Sequence, residues 1–380
     1  MQGKMIRYGT IFMVIAVLLI GFWQMLTTSG KNGVHEVAAR VIETEDDLQA
    51  FGYVRQGTQL VTAQIIEGPL KGKVVTGYNH VQGKLELDHI MEPGDVALYA
   101  VKTDNAGEIT EAYVVEYARH HWEMALFALF VFVLVFFAGM IGFKAFLSFL
   151  LSLLVLWKVL LPGILQGYNP VLLAIVTVAV IAGIIIFLVL GVNNKSFTAF
   201  GGTMAGLAMT TVFALYFGEQ FHLNGATAAF AENFLYAGGY NISLKQLFYA
   251  AIILGASGAA VDVAIDVAAA MEEVARANPR INRDSLIQSG FNVGRAVIGA
   301  MTTTLLLAYS GGYIAMLLLF TTKDMSLLRI LNINYVAAEI LRTLAGSIGL
   351  VLVVPFTAVL GGYLLLPKQG IVSRPVGGDN

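Results

Sequence analysis

The chain has 380 residues, 57% of them apolar and 13% charged, with a mean hydropathy of +0.74. Those values exclude a disordered chain and an ordinary water-soluble globule. A net charge of −2 leaves no overall basic surface for nucleic acid, and the lack of cysteine excludes a disulfide scaffold, thiolate catalysis and Cys-ligated metal.

Charge is spread unevenly along the chain, and this sets out its organisation. Residues 9–26 (GTIFMVIAVLLIGFWQML) carry no charge and follow Lys4 and Arg7. A run of that length can cross a hydrocarbon core and lacks a small-x-small cleavage site, so residues 1–30 are expected to be a retained membrane anchor. Residues 31–121 hold fourteen acidic and eight basic side chains, a local net of −6. Short alternating runs (VTAQII, KVVTGYN, KLELDHI, VALYAV, TEAYVVEYA) stand between clusters of Gly, Pro, Asn and Asp. Period-two runs between such clusters predict strands, with 104–107 as a hairpin loop, so this segment is expected to be a small all-β domain, a short barrel.

From Trp122 the apolar segments return. Spans are expected near 122–142, 145–161, 170–192, 198–217, 246–271, 293–319 and 335–366, the last one kinked at Pro355 or begun by an interfacial turn. With the anchor this gives an all-α membrane bundle of about eight helices, with the β domain inserted after the first. Residues 122–366 then form a seven-span domain and 367–380 a tail. Placing the N-terminus in the cytoplasm puts Lys4, Arg7, Lys144, Lys195, Arg276, Arg280, Arg283, Lys368 and Arg374 inside. The short outer connections then hold only Lys245, Lys323 and Arg329, with Lys158 near an outer end. The positive-inside rule therefore predicts both termini in the cytoplasm and the β domain outside the cell membrane. No internal repeat marks an inverted-repeat transporter.

Ionisable groups inside apolar spans are the informative residues, because each costs roughly 2.5–3.5 kcal/mol at a helix centre. They fall in the last three spans. In GASGAAVDVAIDVAAAMEEV, Asp262 and Asp266 are four apart and stack on one helical face with Gly255 and Gly258. In SGFNVGRAVIGAMTTTLLLAYSGG, Arg295, Asn292, Gly299 and Thr302 share a side, and Gly290 and Gly294 have small-x-x-x-small spacing. In NYVAAEILRTLAGSIG, Glu339 and Arg342 are three apart and can pair locally, with Gly346 on the same face. If these groups converge, three carboxylates face two guanidiniums. The surplus carboxylate is then a candidate proton or cation site.

The stretch from Gly255 to Gly362 resembles the YibE/F-like family of bacterial membrane proteins. The matching pieces are GASGAAVDVAIDVAAAMEE, SGFNVGRAVIGAMTTTLLLAYSGG and AAEILRTLAGSIGLVLVVP, and a looser likeness covers the whole chain. By this resemblance Asp262 matches the Asp of a G-A-x-x-D-V-A motif, Arg295 an N-x-G-R motif, and Glu339 with Arg342 an E-I-x-R segment. The family often carries an acid after the N-x-G-R arginine, where this chain has Ala296; Asp266 is the candidate stand-in. The resemblance brings no biochemical activity with it.

Other constellations are weaker. Glu219, His222 and Glu232 match no ordinary zinc spacing, and His120-His121 beside Trp122 reads as an interfacial pair rather than a metal site. No phosphate loop, nucleophile elbow or dinucleotide fingerprint is present, so no cofactor is implied and an enzyme is not expected. The expectation is a secondary transporter or permease in which Asp262, Asp266 and Glu339 bind the coupling ion and Arg295, Arg342 and Asn292 are their partners. Gly255, Gly258, Thr302 and Gly346 would line the pocket. Its partners would be the lipid bilayer, a small solute or ion, and a second copy of the chain. The alternative is a non-transporting assembly factor or complex subunit that binds a protein through the outer β domain.

Overall fold

The computed structural model describes residues 34–68, 70–104, 108–227, 231, 242–323 and 325–366. The expected anchor, the tail and most of the 104–107 loop lie outside them. The chain divides into two compact units, the first ending at Phe137 and the second beginning at Ala138.

The first unit holds five strands: β1 (Val34–Phe51), β2 (Val54–Ile65), β3 (Val74–Gln82), β4 (Val96–Thr103) and β5 (Ile109–Tyr117). They close into a barrel in the order β1-β2-β3-β5-β4. Strict alternation in β3, VVTGYNHVQ, sends every second residue into the core. All neighbours run antiparallel except β3 and β5, which meet in parallel at Tyr78 and Tyr113. Gly77 permits this closure, since a Cβ there would lie 2.9 Å from the Tyr99 ring and 3.1 Å from the Ala112 carbonyl oxygen. β1 pairs with both β2 and β4, turning between them at a bulge between Val41 and Glu43.

Inside the barrel Tyr99 is fully buried and its hydroxyl donates to the Val61 carbonyl at 3.2 Å. Gln59, also buried, donates to Asp46 Oδ1 (2.7 Å) and to the Met91 carbonyl (2.9 Å), and accepts from Met91 N–H (2.9 Å) and Asn79 (3.1 Å). One amide thus ties the 83–95 connection to the strands. At the rim, burial opposes ionisation of Glu116. The Tyr117 N–H, His89 (2.6 Å) and Arg119 (2.8 Å) outweigh that effect and hold its carboxyl below the ordinary 4.5.

A helical run then extends from His120 to Leu165: α1 (His120–Val155), a π-helical turn over Leu156–Leu160, and α2 (Leu161–Leu165). The spans expected at 122–142 and 145–161 both fall within it. Its backbone leaves helical geometry at Gly139, where φ is 55°. Glycine reaches that region without a Cβ penalty, so the break comes a few residues earlier than charge and hydropathy suggest.

The second unit continues with α3 (Pro170–Leu190), α4 (Asn194–Gln220), α5 (Leu244–Ala277), α6 (Arg283–Gly311), α7 (Ile314–Thr322), α8 (Leu327–Leu331) and α9 (Asn334–Leu364). Caps explain several starts: the Asn169 side chain accepts from Val171 and Leu172 N–H, Asn193 from Ser196 N–H, and Ser243 from Gln246 N–H. The segment expected at 293–319 is divided at Gly312 and Tyr313 into α6 and α7, while α9 continues through Pro355. Among the described residues six helical runs are long and apolar enough to cross a membrane, which makes this a multi-span membrane protein. The expected total of about eight adds the anchor, which lies outside the described residues, and takes the 120–165 run as two spans, on either side of the break at Gly139.

α5 lies at the centre of the helical core, with Ile252, Ile253, Val263, Val267 and Met271 buried. α4 and α9 cross beside it at glycine-to-side-chain contacts. A Cβ on Gly202 would overlap Thr357, one on Gly206 would meet Val353 and the Gly349 carbonyl, and one on Gly349 would overlap Thr210. Close backbone approach through small residues is how membrane helices gain packing energy without a hydrophobic driving force.

Candidate functional site

Glu339 is the sixth residue of α9, about 8 Å along the helix from its start. Arg342, one turn later, places Nη1 2.7 Å from Glu339 Oε1, and the two side chains are only 14% and 19% exposed. Tyr313, in the break between α6 and α7, donates its hydroxyl to the same Oε1 at 2.6 Å and accepts from Arg342 Nη1 at 3.3 Å. Arg342 also lies over the Phe248 ring of α5, 5.5 Å from its centroid. Both bonds fall on one carboxylate oxygen. Oε2 is buried and has no hydrogen-bond partner among the described residues.

This carboxylate lines a cavity of about 300 Å³, whose walls are otherwise almost entirely apolar and include Leu306, Met316, Leu317, Val336 and Ile340. A buried carboxylate oxygen without a donor costs about 1–3 kcal/mol or more. A proton or a cation arriving from the cavity would remove that cost. The arrangement can therefore hold a charge at Oε2, on the side of the carboxylate away from Arg342 and Tyr313.

The other acids lie elsewhere. Asp262 and Asp266 sit near the middle of the 34-residue α5 and are exposed on its outer side. Asp262 follows Phe248 by fourteen residues, about 21 Å along the helix, so it takes no part in the Glu339 cluster. Arg295 and Asn292 are likewise exposed near the middle of α6, and Asn292 accepts a bond from Gln288 at 3.3 Å. Asp262, Asp266 and Arg295 form no ion pair among the described residues. Gly255 is exposed, and nothing lies within 4 Å of where a Cβ would stand on Gly258 or Gly299. The structure thus sorts the expected site residues into an inner cluster at Glu339 and Arg342 and an outward face at Asp262, Asp266, Asn292 and Arg295.

The remaining expected lining residues have separate places. Gly346 is buried against α5, where a Cβ added to it would lie 3.6 Å from Ala256 Cβ, and so serves helix packing. Gly290 and Gly294 receive Met271, Ala358 and Val354. Thr302 keeps a buried hydroxyl with no partner among the described residues. Glu219 pairs with Lys245 at 2.6 Å, and Glu232 lies outside the described residues.

Two partners leave no mark in the sequence. Tyr313 follows an apolar span in the run Ser-Gly-Gly-Tyr, with nothing nearby to mark it as the partner of an acid 26 residues further on. Lys195, at the start of α4, reaches Glu272 on α5 at 2.8 Å across 77 residues, and Arg276 joins Glu272 at 3.3 Å.

No curated protein and no solved structure matches this chain. A family model described as YibE/F-like protein matches residues 126–366, the whole helical part from early in α1 to just beyond α9. The match extends over more than half the chain, takes in Asp262, Arg295, Glu339 and Arg342, and shows that the chain belongs to the YibE/F-like family.

Proposed function

We propose that this protein is a secondary transporter or permease of the bacterial cytoplasmic membrane, with both termini inside and the acidic barrel outside. The observation that carries the reading is Glu339: one oxygen is shared by Arg342 and Tyr313, and the other is buried and unpartnered beside an apolar cavity. Intramembrane carboxylates of this kind mark ion and proton paths. Loading Oε2 with a proton or cation weakens the hold of Oε1 on Arg342 and Tyr313. That change at the break between α6 and α7 would couple the ion to movement of the helices. Asp262 and Asp266, about 21 Å further along α5 and on its outward face, form a separate acidic station in this reading.

A second reading rests on the outward face of α5 and α6. Charges in mid-helix with open glycines beside them are costly against lipid, and the face carries both signs. A second copy set across a two-fold axis would pair Arg295 with Asp262 or Asp266 in both directions. A homodimer of this type serves a complex subunit or assembly factor as well as it serves a transporter.

Flux measurements separate transport from a non-transporting role. Wild-type protein in pyranine-loaded proteoliposomes, under a potential set by valinomycin and potassium, should carry protons, or radiosodium in a parallel assay. Glu339→Gln and Asp262→Asn should each abolish the flux while the protein stays monodisperse. Wild-type flux in Glu339→Gln, or no flux of either ion by the wild type, overturns the transport reading.

A further inference from the structure

The first unit contains a second set of converging polar groups, independent of the transport reading. Glu67 stands in the turn after β2, where Ile66 N–H donates to Ala38 and Gly72 N–H to Ile65. His120 and His121 open α1, whose first turn is set by Trp122 and Glu123 N–H donating to the Arg119 carbonyl. His121 Nε2 lies 3.0 Å from Glu67 Oε1 and His120 Nε2 lies 3.6 Å from Oε2. The imidazole centroids are 4.1 Å apart, and one ligand atom from each of the three residues lies within 4.8 Å of the others.

We propose that Glu67, His120 and His121 bind a borderline divalent transition cation, with Zn2+ as the type. Zinc takes nitrogen and oxygen ligands at about 2.0–2.2 Å, so tetrahedral ligands stand about 3.3 Å from one another. The two imidazole-to-carboxylate contacts, one on each oxygen, lie on either side of that value, and one ligand atom of each residue already stands within 4.8 Å of the others. Both rings turn the same nitrogen, Nε2, toward the carboxylate. Two imidazoles and one carboxylate suit Zn2+, Cu2+ or Ni2+, whereas Mg2+ and Ca2+ prefer all-oxygen sets. The side chains are between 42% and 49% exposed, which leaves a fourth position for water or an exchangeable ligand. The net −6 of residues 31–121 raises the local concentration of cations. The bound ion would tie the β2–β3 turn to the first turn of α1.

The test is calorimetric titration of ZnCl2 into the full chain in detergent after chelator treatment. One ion per chain is expected, with binding at least about tenfold weaker in Glu67→Gln and in the double variant His120→Ala/His121→Ala. His222→Ala serves as the control and should bind as wild type. Far-UV circular dichroism in metal-free buffer checks that the variants fold. Cu2+-loaded wild-type protein gives a reading that needs no variant: coupling to two imidazole nitrogens in its electron paramagnetic resonance spectrum. The proposal is overturned by no stoichiometric uptake, by equal uptake in both variants and wild type, or by a copper spectrum without that coupling.

Discussion

Replacing Tyr313 by Phe removes a single oxygen and leaves the ring in place. That oxygen donates to Glu339 Oε1 at 2.6 Å and accepts from Arg342 at 3.3 Å, so the variant strips the carboxylate of one of its two donors. Neutral hydrogen bonds between membrane helices average about 0.6 kcal/mol, and bonds to charged groups are worth about 1.5–3 kcal/mol. The short contact to Glu339 is of the second kind and the longer one to Arg342 adds little, so the expected loss is about 1.5 kcal/mol. That is about a twelvefold change in the unfolding equilibrium, large enough to resolve by SDS titration in mixed micelles. A double-mutant cycle with Glu339→Gln isolates the contact and should give a coupling of at least about 1 kcal/mol. Tyr335→Phe, on a half-exposed ring, should stay within about 0.5 kcal/mol of wild type. A coupling below about 0.5 kcal/mol, or a Tyr313→Phe variant no different from Tyr335→Phe, would refute the three-residue cluster.

Gly349→Ala drives a Cβ into Thr210 and within 3.1 Å of the Gly206 carbonyl, and should cost about 1–3 kcal/mol in the same titration. Gly258→Ala meets open space and should be neutral. Because the chain has no cysteine, Gly258→Cys and Gly299→Cys can be crosslinked without background, and at least one should give a disulfide dimer under mild oxidation. Ala264→Cys, buried in the core, should not, and absence of a dimer from both glycine positions would contradict the second-copy interface. Glu116 is held below its ordinary carboxylate value, so the folded barrel favours its charged form. Its contribution is complete above the ordinary range and is lost as pH falls through 4.5 toward the lower folded-state value. Near-ultraviolet tyrosine dichroism should show acid loss of barrel structure that Glu116→Gln makes less pH-dependent. An unchanged acid limb in that variant would assign the loss to other groups.

Local patterns could be read from the chain, and contacts between distant segments could not. β3 alternates without a fault, so its strand character is plain in the sequence, but its parallel meeting with β5 depends on Gly77 making room for Tyr99 and Ala112. The Glu339–Arg342 pair follows from a spacing of three on a helix. Tyr313 joins it only because the chain breaks between α6 and α7. Asp262, Arg295 and Glu339 are alike as isolated charges in apolar runs, so residue type alone points to one shared pocket. Telling an inner cluster from an outward face requires knowing which side of α5 packs against α9, and Gly346 against Ala256 settles this in three dimensions. Hydropathy likewise gave the extent of the 120–165 run but placed its break by Lys144 rather than at Gly139.

The role of Glu339 is tested most directly by infrared difference spectroscopy of reconstituted protein across a pH or sodium jump. Wild-type protein should show a carboxyl band that changes with the jump and is lost in Glu339→Gln, with a smaller change in Tyr313→Phe. An identical difference spectrum in wild type and Glu339→Gln would show that this carboxylate neither takes up nor releases an ion, and would remove Glu339 as the coupling site.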